Sequence, residues 1–129
     1  MHAGRRQTVA VVDDDDAVRD SLRFLLEAAG YDVLTFGSAA EFLSSTDVGE
    51  LACVMVGQRM PRVTDLELVA RIRATRPELP VALMTGSSSA DLTRRAFELG
   101  VTNVLEKPLQ EQGLLHSCRL STADTLAVG

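Results

Sequence analysis

Apolar residues along the chain fall into two alternating kinds of run, and the alternation predicts the elements. The first run, Thr8 to Val12 (TVAVV), is short and β-branched, as a buried strand requires. Val18, Leu22, Leu25, Leu26 and Ala29 follow at three- and four-residue spacings, which predicts a helix from about Ala17 to Ala29 with Gly30 at its C-cap. Tyr31 to Phe36 reads as a second strand, and Ser38 with Glu41 makes a capping box ahead of Phe42 and Leu43. Leu51 to Val56 is a third strand, apolar almost throughout, which points to burial on both faces. Thr64 and Glu67 form another capping box, for a helix carrying Leu66, Val69, Ala70, Ile72 and Arg73. Val81 to Met84, a helix from about Ala90 to Leu99 closed by Gly100, Thr102 to Glu106 and a last helix from about Gln110 complete the series.

Strands separated by helices cannot pair as hairpins. Five successive βα units therefore predict a doubly wound, flavodoxin-like α/β fold: a five-stranded parallel sheet of order 2-1-3-4-5, with five helices on its two faces. In such sheets ligands bind beyond the carboxyl ends of the strands, near the reversal of strand order, here between the first and third.

Composition adds limits. A chain of 129 residues with 46% apolar content fits one domain, expected over 7–121 between short tails at 1–6 and 122–129. The net charge of −5, with Arg71, Arg73, Arg76, Arg94 and Arg95 scattered, leaves no footprint for direct nucleic-acid binding. MHAGRRQ at the N-terminus lacks an apolar stretch behind its arginines, and no run is long enough to span a bilayer. A cytoplasmic protein without membrane contact is the expectation. Cys53 and Cys118 lack C-x-x-C spacing and read as reduced thiols, while His116 has no second histidine or acidic partner at phosphotransfer spacing and His2 falls in the expected N-terminal tail.

The expected strand ends carry the candidate chemistry: Asp13 and Asp14 after the first, Gly57 after the third, Thr85 after the fourth, and Lys107 before Pro108 after the fifth. Carboxylates, a hydroxyl and an ammonium in one cleft suit a divalent cation and a phosphoryl group. A nucleophile is missing from the set.

In this order, VVDDDDAVRDSL, QRMP with LEL, LMTG and LEKPL resemble the motifs of the receiver domains of bacterial two-component response regulators, over about residues 7–120. The resemblance implies that Asp13 and Asp14 are a metal-binding pair, with the backbone carbonyl of Arg59 as a further ligand. It implies that Thr85 is a switch hydroxyl and Lys107 the family's lysine, joined to Pro108 by a cis peptide. Gly57 falls where the family carries its phosphoacceptor aspartate, and Val104 where it usually has Phe or Tyr. Arg62 and Asp65 replace residues that are usually glycine. The expected cofactor is Mg2+ with weakened affinity.

The leading reading is an atypical receiver, not an enzyme, that signals by protein contacts without aspartyl phosphorylation. Its expected partners are a histidine kinase, an output domain or another regulator, or a second copy through the face of the fourth helix, fifth strand and fifth helix. Whether it stands alone or belongs to a longer regulator is open. One alternative is phosphorylation at a substitute residue, for which Gln58 and Thr64 are poor candidates. Another is a haloacid-dehalogenase-like phosphatase, since Asp14, Asp16 and Val18 satisfy D-x-D-x-V, although the later aspartate pair is lacking.

Plainer readings stand beside these. Asp15 and Asp16 suit a helix N-cap and first turn, and Thr85 a turn at a strand end. Lys107 suits an ion pair with Asp13 or Asp14, and Gly57 a tight turn at positive φ.

Overall fold

Residues 7–45, 50–57, 65–86 and 89–107 are described in a computed structural model. In chain order the elements are β1 (Thr8–Val12), α1 (Asp16–Ala28), β2 (Asp32–Phe36), α2 (Ala39–Ser45), β3 (Cys53–Gly57), α3 (Asp65–Thr75), β4 (Val81–Thr85), α4 (Ala90–Glu98) and β5 (Asn103–Glu106). The strands form one parallel sheet in the order β2-β1-β3-β4-β5, as the alternation of strand and helix predicts. The fifth expected helix lies outside the described residues, as does Thr64 with its capping box.

Successive strand residues face opposite sides of the sheet, so the core has two halves. Val9, Val11, Met55 and Met84 pack with Leu22 and Leu26 of α1 on one side. Ala10, Val12, Val56 and Leu83 pack with Phe42 of α2, Leu68 and Ile72 of α3 and Ala96 of α4 on the other. Every residue of β3 and β4 is buried, which is why those strands read as unbroken apolar runs.

The ladder and the apolar runs differ at their ends. Gly57 and Thr85, expected just past their strands, are the last residues of β3 and β4 because they still pair with Met84 and Glu106. Leu51 is buried yet precedes the strand: side-chain burial and ladder pairing are separate requirements, and an apolar run reports only the first.

Local chemistry fixes the helix ends. Asp15 Oδ1 accepts from the N–H groups of Ala17 and Val18, starting α1 one residue earlier than its apolar face suggests. Ser38 Oγ accepts from Glu41 N–H at 3.1 Å, while the Glu41 carboxylate reaches back to Gly37 N–H at 2.8 Å, one residue beyond the usual partner. Ser89 caps α4 through Leu92 N–H.

Gly30 (φ 104°) and Gly100 (φ 100°) end α1 and α4 in the left-handed region. At Gly100 a second constraint applies. Arg73 Nε and Nη2 donate to its carbonyl at 3.1 and 2.6 Å, and Nη1 donates to the carbonyls of Arg76 and Pro77, tying the end of α3 to the turn after α4. A Cβ on Gly100 would stand 2.5 Å from Arg73 Nε, whereas one on Gly30 would meet nothing within 4 Å. Gly30→Ala is therefore expected to lower stability by about 1 kcal/mol from backbone strain alone, and Gly100→Ala by roughly 2–3 kcal/mol. Urea unfolding of the two variants measures the difference; equal losses would mean that the Arg73 bridge yields without cost.

Candidate functional site

The carboxyl edge of the sheet brings Asp13, Gly57, Thr85 and Lys107 together. Asp13 follows β1 and is 1% exposed, unusual for a carboxylate. Its backbone N–H donates to the Phe36 carbonyl at 3.0 Å, anchoring the loop to the end of β2. Its Oδ1 accepts from Asp15 N–H and its Oδ2 from Lys107 Nζ, both at 2.9 Å. Lys107 is positioned by its own N–H, which donates to the Thr85 carbonyl at 2.7 Å. Because β3 and β4 lie between β1 and β5, the lysine stem crosses the ends of both strands to reach the carboxylate.

Gly57 lies under that crossing. Positive φ among the described glycines is confined to Gly30 and Gly100, so the tight-turn expectation for Gly57 is corrected: it ends β3 in strand geometry. The reason for a glycine is spatial. A Cβ at residue 57 would stand 2.2 Å from Asp13 Oδ2, 2.7 Å from its Cγ and 3.2 Å from its Cβ. The Asp13 carboxylate lies where the side chain of residue 57 would begin.

The four consecutive aspartates are separated by function. Asp13 pairs with Lys107, Asp15 caps α1, and Asp16 pairs with Arg19. Asp14 remains exposed. Arg19 also donates from Nη1 to the Asp13 carbonyl at 2.6 Å, placing a second cation against the first loop. The sequence reading did not single out Arg19; its i,i+3 spacing from Asp16 was the available signal.

Thr85 is fully buried, and Val104 is half-buried against the α2–α3–α4 half of the core. Arg59, Arg62 and Pro108 lie outside the described residues. Asp65 begins α3.

Among the described residues, the side chains as they are arranged do not converge on a site for a divalent cation. Magnesium needs carboxylate oxygens converging on one open point. Each Asp13 oxygen already accepts a hydrogen bond, Asp15 and Asp16 have other partners, Gly57 supplies no oxygen from a side chain, and among the described residues of the four-aspartate run Asp14 is the remaining carboxylate. Among the described residues no group of three or more His, Cys, Asp or Glu side chains is placed to hold a metal.

The family model for the response regulator receiver domain matches residues 9–119. The chain belongs to that family. The receiver domain is 39% identical over 106 residues to the transcriptional regulatory protein FixJ of Bradyrhizobium diazoefficiens, covering 82% of this chain and 52% of FixJ. It is 34% identical over 120 residues to the transcriptional regulatory protein TdiR of Thauera aromatica, covering 93% of this chain and 53% of TdiR. The chain thus spans about half the length of the curated relatives it matches. Full-length FixJ from B. japonicum superposes with a TM-score of 0.79 at 35% identity, over 91% of this chain and 58% of that one. A receiver domain from Clostridium thermocellum matches at 0.86 with 24% identity, over 95% and 99% of the two chains, a likeness of fold alone.

Members of this family are signalling domains of two-component regulators, and the match sets the phosphatase reading aside. No helix among the described residues is long and apolar enough to cross a membrane.

Proposed function

We propose that this receiver domain signals through protein contacts and is not phosphorylated at the end of its third strand. The observation that carries the reading is the Asp13 carboxylate, which fills the space beside Gly57 and is held there by Lys107. A glycine offers no nucleophile to a phosphodonor, and the pocket a phosphoryl group would enter is already closed by an ion pair. Asp13 and Asp14 form the acidic pocket, Gly57 is the degenerate acceptor position, and Thr85, Val104, Lys107 and Pro108 are the residues of the former switch.

The partners proposed for it are proteins: a histidine kinase, an output domain or another regulator, or a second copy through the α4–β5 face and the helix expected after it. The place proposed for it is the cytoplasm. Nucleic acid and membrane are not among its direct contacts.

The test is intact mass after incubation with magnesium and acetyl phosphate, with Gly57→Asp alongside. The native chain is expected to stay at its own mass while Gly57→Asp gains one phosphoryl group. A stable gain on the native chain would overturn the reading, and mapping it would name the substitute acceptor.

A further inference from the structure

We propose that Lys107 stands in for the divalent cation, so that the acidic pocket is neutralised from within the chain and keeps its closed arrangement without magnesium. This deepens the phosphorylation-independent reading and rests on it.

The argument begins with the space. Asp13 can lie over β3 only because residue 57 has no side chain, since a Cβ there would sit 2.2 Å from Oδ2. Lying there, it meets Lys107 Nζ at 2.9 Å on one oxygen and Asp15 N–H at 2.9 Å on the other. A carboxylate this buried needs a positive partner, and the ammonium provides one.

A metal ion brought to Asp13 would therefore arrive beside a cation already in contact. It would also approach Arg19, whose guanidinium lies 2.6 Å from the Asp13 carbonyl. Repulsion between these charges is weakly screened where water is excluded. The remaining carboxylate, Asp14, is exposed and single, too little to extract magnesium from its hydration shell.

An ammonium on the chain differs from a free ion in one respect that matters for signalling. It is always present, so the pocket is filled at every magnesium concentration, and the end of β5 is held to the end of β1 in all of them. Gly57, Asp13 and Lys107 act as one unit in this arrangement.

Thermal unfolding of the native chain, with MgCl2 raised to about 10 mM at constant ionic strength, tests the inference. The native midpoint is expected to stay within about 1 °C, because an ion that does not bind the folded state cannot stabilise it. Gly57→Asp should gain a saturable rise of about 3 °C or more, because the new carboxylate, the displaced Asp13 and Asp14 together outweigh the single ammonium and offer a cation site. Lys107→Gln, which removes the internal cation and leaves Asp13 in place, should also become magnesium-responsive.

A saturable rise in the native chain overturns the inference, and so does a Lys107→Gln variant that ignores magnesium. The two readings fail separately. Magnesium stabilisation of a native chain that gains no phosphoryl mass overturns the ammonium substitution alone, whereas phosphorylation of the native chain overturns the functional reading beneath it.

Discussion

Replacing Gly57 by alanine is expected to lower stability by about 2–4 kcal/mol, although Gly→Ala in an ordinary strand raises it by roughly 0.5–1 kcal/mol. The sign reverses because the new methyl would overlap the Asp13 carboxylate, whose Oδ2 and Cγ lie 2.2 and 2.7 Å from its position. Asp13 would have to leave the slot, and the contact with Lys107 would be lost. The loss is large because Asp13 is buried: a carboxylate without its partner there is an uncompensated charge.

Two companions make the expectation specific. In an Asp13→Ala background the alanine at 57 should cost almost nothing, so the double-mutant cycle shows coupling of the size of the single loss. Gly57→Asp should cost less than Gly57→Ala, because its own carboxylate can take up Lys107. Urea unfolding provides all the values, and a neutral or stabilising Gly57→Ala would show that the Asp13 carboxylate does not lie against Gly57.

Phe42→Ala should cost about 3–5 kcal/mol, the range for removing a fully buried aromatic ring. Phe42 projects from α2, only 7 residues long and too short to persist without packing. Its ring meets Phe36 of β2 edge to face, with centroids 5.3 Å apart and planes at 84°. Ala10, Ala39 and Val54 belong to the same half of the core. For a domain of this size the loss is a large share of the total, so the urea midpoint should fall steeply while the slope of the transition stays the same. Phe42→Leu, which keeps most of the volume, should lose roughly 1.5 kcal/mol or less. If both substitutions were mild, α2 would be held by something other than this ring.

The fold was legible because its signals are local and repeated. TVAVV, LACVMV and VALM announce buried strands through composition, and strand–helix alternation then leaves few topologies. Capping by Ser38 and termination at Gly30 and Gly100 were equally visible, since a cap depends on residues three or four apart. Strand ends were less so: whether Gly57 and Thr85 belong to the ladder depends on register with β4 and β5, which the apolar pattern does not encode.

At the site, the sequence nominated the residues that meet, but not their arrangement. An ion pair from Lys107 to Asp13 or to Asp14 was equally consistent with the motif. Which one forms depends on how Asp13 turns, and that depends on empty space beside a residue distant in the chain. For the same reason the plainer alternative for Gly57, a turn at positive φ, differs from the structure, where the requirement is volume beside a carboxylate. The role of Arg73 was invisible because its acceptor, the Gly100 carbonyl, lies 27 residues away.

The Lys107–Asp13 pair has a consequence for the order of folding. Its partners are 94 residues apart, one at the end of the first strand and the other at the end of the fifth. During synthesis Asp13 leaves the ribosome long before Lys107 exists, and until β5 docks the carboxylate has no ammonium to face. The sheet can therefore assemble from β2 to β4 with this corner unsealed and hydrated. Sealing it is expected in a late step, after the loop-closure entropy of the intervening chain has been overcome. Stabilisation acquired after the transition state slows unfolding and leaves the folding rate nearly unchanged. On that order, removing the pair is expected to speed unfolding more than it slows folding.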